Sequence, residues 1–141
     1  MTIYFQFFEA ENLFLQRFVG KWKSNIYEDF ILANANQETN KIRKIATDFR
    51  ELIIPPDLND LNILRNITKK IELQDYFNIQ IVNDPIMTAV AQLYQITDKP
   101  QNVNYDICST LQYAINFLNI DMTPHELEQR FKNLTGKFPN K

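Results

Sequence analysis

The sequence predicts an all-α fold, a compact single-domain bundle of about six helices. Three observations point there. Apolar residues recur at helical spacing over long stretches, as in Phe14, Phe18, Trp22, Ile26 and Phe30. Two segments open with a helix-start signature, Asp84-Pro85 and Thr123-Pro124-His125-Glu126. The 141 residues also hold only two glycines, Gly20 and Gly136, where sheet corners and tight turns usually recruit many.

Taken in order, residues 1–8 are apolar and aromatic and read as an N-terminal arm or as first helical turns. Residues 9–33 read as the first helix, with Leu15, Val19 and Ile31 broadening its stripe and Gly20 as a point of bending. Residues 34–40 are polar and read as a loop. Ile42, Ile45, Ala46, Phe49 and Ile53 give a second amphipathic helix, which must stop before Pro55-Pro56 because residues preceding proline avoid the α region. Asp57 then caps a third, with the stripe Leu58, Leu61, Leu64, Ile67 and Ile71.

Residues 76–82 alternate loosely and are the one plausible strand. With no partner strand expected, they read better as an extended loop. Asp84-Pro85 starts a fourth helix carrying Ile86, Met87, Val90, Ala91 and Tyr94, broken at Lys99-Pro100. Ile107, Cys108, Leu111, Ile115 and Leu118 form the fifth. The sixth is capped by Thr123, buries Leu127, Phe131 and Leu134, and ends at Gly136 as its C′ residue. There is no internal repeat and no linker, so 1–141 reads as one domain.

Composition narrows the function classes. Hydrophobic residues make up 45% and charged residues 23%, ordinary globular usage. A net charge of −2 gives no general attraction to phosphate backbones or anionic membranes. No apolar run approaches the roughly 20 residues that span a bilayer. The lone Cys108 forms no intrachain disulfide, which fits a reducing, cytoplasmic location. Abundant Ile, Asn and Lys suggest an A/T-rich viral or bacterial genome.

Residue types that carry chemistry are scarce. His125 is the single histidine and has no second His or a Cys nearby to build a metal site. Only two serines, Ser24 and Ser109, are present, and no glycine-rich loop could hold a nucleotide. No cofactor is expected. The carboxylate pairs Glu9/Glu11, Glu28/Asp29, Asp57/Asp60 and Glu126/Glu128 sit at helix starts or on polar faces, which solvation explains.

The reading that follows is a non-enzymatic helical protein-binding module: an adaptor, inhibitor, immunity or assembly factor. Its aromatic N-terminal surface would dock another protein or a second copy as a homodimer, with Phe7, Phe8 and Trp22 as anchors. The alternative is a nucleic-acid-associated regulatory or replication accessory factor. It would use Lys41, Arg43, Lys44, Lys69 and Lys70, or the C-terminal helical hairpin with Gln129, Arg130, Lys132 and Asn133. A carboxylate-based enzyme ranks third.

Overall fold

The computed structural model describes residues 1–34, 41–68, 75–97 and 103–140. Six strands, β1 (Thr2–Phe8), β2 (Leu13–Lys21), β3 (Lys44–Ile54), β4 (Tyr76–Ile81), β5 (Val103–Cys108) and β6 (Gly136–Phe138), form one sheet in the order β5-β4-β3-β2-β1-β6. Five helices accompany it: α1 (Ser24–Asn34), α2 (Leu58–Thr68), α3 (Pro85–Thr97), α4 (Leu111–Leu118) and α5 (Pro124–Lys132). The fold is therefore α/β, and the all-α bundle expected from the sequence is overturned.

The sheet is mixed. β2, β3, β4 and β5 run parallel, while β1 pairs antiparallel with both β2 and β6. Each parallel step is a crossover through one helix to the adjacent strand, always in the same direction along the sheet. Right-handed crossovers of that kind place α1, α2 and α3 on one face. There Phe30, Leu61, Leu64 and Met87 pack with Ile3, Phe18, Phe49 and Val82 of the sheet. The chain then returns across the opposite face through α4 and α5 to reach β6. On that side Ile115, Leu118, Leu127 and Phe131 cover Leu13, Leu15, Ala46, Ile79 and Ile81.

Strands buried on both faces explain the misread helices. In a covered parallel sheet both alternating sets are apolar, so the strand reads as a near-continuous hydrophobic run. Phe14 and Phe18 point to the α1–α3 layer, while Leu13 and Leu15 point to α4 and α5. A spacing of four is also an even number, so Phe14 and Phe18 share one face of a strand as readily as one face of a helix. The expected helix over 9–33 is β2 followed by α1, and the one over 42–53 is β3. Residues 76–81, read as extended loop, are the inner strand β4. Ile107 and Cys108 belong to β5, with the helix beginning only at Leu111. The N-terminal arm is β1.

Glycine scarcity did not exclude a sheet, because asparagine takes two left-handed positions that glycine often fills, leaving Gly20 of β2 as a third residue with positive φ. Asn12 closes the 3-10 turn of the β1–β2 hairpin at φ 53°, and Asn119 ends α4 at φ 51°. The helix starts were legible. Asp84 Oδ1 accepts from Met87 N at 2.9 Å, and the Thr123 hydroxyl accepts from Glu126 N at 3.2 Å, with Pro124 in the first turn. Gly136, expected as the C′ residue of the last helix, lies instead in β6 opposite Phe5.

That position requires glycine for lack of space. A Cβ on Gly136 would meet the Phe5 carbonyl oxygen at 2.6 Å. Gly136→Ala should loosen β6 from β1 and cost about 1–3 kcal/mol, as overpacking does. Urea denaturation together with amide exchange of residues 136–138 measures it.

Candidate functional site

The carboxyl ends of the parallel strands form the candidate site, because open α/β sheets place their ligands beyond those ends. Two features meet there: a polar lock on β3 and an aliphatic rim beyond it.

The lock begins with register. Arg17 pairs with Asp48 and Val19 with Glu51, so two steps on β2 face three on β3. Gly20 pairs with Leu52 and Lys21 with Ile54, so one step again faces two. β3 therefore carries two bulges, which bend a strand and re-aim its side chains. At the first, Asp48 Oδ1 accepts from the Arg50 backbone N at 3.0 Å and from Arg50 Nε at 2.9 Å. Asp48 Oδ2 accepts from Arg50 Nη2 at 2.8 Å, and the same nitrogen reaches Glu128 Oε2 on α5 at 2.8 Å. Asp48 is buried, while Arg50 and Glu128 are partly exposed. Its bond to Asp48 is the largest effect on the Arg50 guanidinium and pushes its pKa further up.

α5 is held on its other flank too. Arg130 Nη2 bonds Glu11 Oε1 at 2.8 Å, and its guanidinium lies 4.5 Å from the centre of the Phe8 ring. That bond holds the Glu11 carboxyl below its ordinary range. On β2, Arg17 bonds Glu51 at 3.0 Å and stacks 4.5 Å from the Tyr4 ring. Arg17, Arg50 and Arg130 each have a carboxylate within 3.0 Å. The cluster therefore reads as a clasp between β3, the hairpin and α5.

The rim is apolar. Ile53 is 76% exposed at the end of β3, Leu58 is 70% exposed at the start of α2, and Ile86 is 67% exposed in the first turn of α3. Ile54, at the same end, is about half exposed. Beside Ile86 an open groove of about 390 Å3 runs between the start of α3 and the β5–α4 junction, lined by Val82, Asn83, Asp84, Thr88 and Ser109 among others.

The sequence-predicted anchors lie elsewhere. Trp22 is 9% exposed, stacks on Phe18, and donates from Nε1 to Ser24 Oγ at 2.9 Å, which in turn donates to Asp60 at 2.7 Å. It is a core residue, and the expected surface role of Trp22 is corrected. Phe7 and Phe8 are half-buried in β1, opposite Phe14 and Leu13, with Phe8 beneath Arg130. Lys41 bonds Glu9 at 3.2 Å, Lys44 bonds the Asn119 carbonyl at 3.1 Å, and Arg43 lies between them, all at the amino end of β3. Lys69 and Lys70 lie outside the described residues.

The carboxylate pairs do not converge: Glu9 and Glu11 go to Lys41 and Arg130, Asp57 and Asp60 cap α2 reciprocally, and Glu128 meets Arg50. No cluster of three or more His, Cys, Asp or Glu able to hold a metal occurs among the described residues. Sequence reasoning missed both the lock and the rim. Ile53-Ile54 directly before Pro55-Pro56 was the available signal, an apolar pair at the very end of an element.

Comparison with family models, curated proteins and solved structures found no match to this chain. Among the described residues, no helix is long and apolar enough to cross a membrane.

Two outcomes follow from this geometry. Asp48→Asn removes the charge that holds Arg50 and the bulge, and should cost about 3 kcal/mol in urea denaturation, as breaking a buried ion pair does. Burial also pushes the Cys108 thiol up to about 11. At pH 8 it should react with an alkylating reagent at least tenfold more slowly in the folded protein than in urea, since the thiolate is the nucleophile.

Proposed function

We propose that this chain is a non-enzymatic protein-binding domain that docks its partner on the aliphatic rim at the carboxyl end of the parallel strands. The observation that carries the reading is the gathering of Ile53, Ile54, Leu58 and Ile86 at one end of the sheet, all at least 48% exposed. Isolated surface aliphatics are ordinary, whereas several at one end of a fold mark a contact surface. The neighbouring groove adds backbone and side-chain polar groups that can fix a partner's orientation.

The chemistry of the partner follows from the rim. Asp57 precedes Leu58 and Asp84 precedes Ile86, and both carboxylates cap the helices they begin. They bring negative charge beside the apolar residues. A partner segment with aliphatic residues flanked by lysine or arginine complements that arrangement, and the charges set its register and encounter rate.

Leu58→Asp/Ile86→Asp tests the proposal. Both positions are exposed, so stability should stay within about 0.5 kcal/mol of wild type. Affinity for the native partner, captured with nuclease treatment and measured by calorimetry, should fall at least tenfold. Retention of that partner by the double variant overturns the reading. Loss of all partners on nuclease treatment overturns it in favour of nucleic acid.

A further inference from the structure

Two backbone groups on the outer edge of β5 are capped by side chains, with support from both helical layers. Among the described residues β5 pairs only with β4, so its other side is a sheet edge. The Cys108 carbonyl accepts from Val82 N at 2.9 Å and thus faces β4. Backbone groups alternate along a strand, so those of Asp106 also face β4, and those of Tyr105 and Ile107 point outward. Val103 points outward by the same alternation, and among the outward groups of these three residues two are capped. Ile107 N donates to Asp106 Oδ1 at 2.7 Å, and Gln95 Nε2 of α3 donates to the Tyr105 carbonyl at 3.3 Å. The other oxygen of Asp106 is held in turn by the Tyr113 hydroxyl of α4.

An open edge is a template for another strand, and its exposed N–H and C=O groups are what a second chain would use. We infer that Asp106, Gln95 and Tyr113 form a guard that keeps β5 from pairing with β5 of a second copy of this chain. The second copy is the fitting partner because the same edge, turned by a two-fold axis, supplies an antiparallel strand of matching length, as isologous contacts do. The opposite edge of the sheet differs: β6 has three residues and covers β1 only at Ile3, Tyr4 and Phe5. This inference is independent of the rim.

Gln95→Ala/Asp106→Ala uncovers the two capped outward groups. Its mass by light scattering should double at concentrations where wild type keeps its own mass. Adding Ile107→Pro should restore the wild-type mass, because proline removes an N–H that points away from β4 and leaves the ladder intact. Asp106→Asn keeps an acceptor for Ile107 N and should behave as wild type.

Unchanged mass in the folded double variant overturns the inference. So does a doubled mass that Ile107→Pro fails to reverse, or doubling by Asp106→Asn, which would trace the effect to charge. If the double variant does not fold, Tyr113→Phe decides instead. Position 113 is about half exposed, and loss of its hydroxyl should speed Ile107 amide exchange at least tenfold, with unchanged exchange counting against the guard.

Discussion

The chelation of Arg50 by Asp48 is the interaction on which the rest of this structure depends. β3 is an inner strand, and its two extra residues would leave an unpaired N–H inside the sheet. Asp48 takes that N–H and the guanidinium together. A buried carboxylate alone would be costly, and paired in this bidentate way it becomes a fixed point. Through Glu128 the same arginine fastens α5, so one ion cluster ties the middle of the sheet to the layer above it.

The rim lies where β3 outruns β4: Asp48 is the last residue paired with β4, at Ile81, while β3 continues along β2 to Ile54. Ile53 and Ile54 are thereby delivered past the core, and the Pro55-Pro56 turn sets Leu58 beside the same end. The polar clasp and the apolar surface divide the labour. The first pairs charges between β3, the hairpin and α5, while the second leaves hydrophobic area in water. Of the aromatic residues that crowd the first 30 positions, Tyr4 and Phe8 lie under the clasp arginines, while Phe5, Phe18 and Trp22 pack with Tyr27 and Phe30 of α1.

The two sides of the sheet also handle their edges differently. β5 caps the outward Ile107 N with Asp106 and the outward Tyr105 carbonyl with Gln95. β1 is partly covered by the short β6, whose close approach requires Gly136. In both places the solution is local and uses few residues, which suits a chain with so little glycine.

By itself the sequence determined what depends on near neighbours. The caps at Asp84 and Thr123, the stop before Pro55, and the buried positions Leu61, Leu64, Met87, Ala91, Leu127 and Phe131 were legible, whereas Leu58 and Ile86, read into the same stripes, are exposed. The legible features rest on contacts within about one helical turn. Whether Phe14-Leu15-Phe18 and Ile45-Ala46-Phe49 form helices or strands was decided only by tertiary structure. Their hydrogen-bond partners lie about 30 residues away in the chain, Arg17 against Asp48 and Asp48 against Ile81. A strand covered on both faces also loses the alternation that would have marked it. The same distance hid Asp48, Arg50 and Glu128 from one another, and it hid the emergence of Ile53, Leu58 and Ile86 at one end of the sheet.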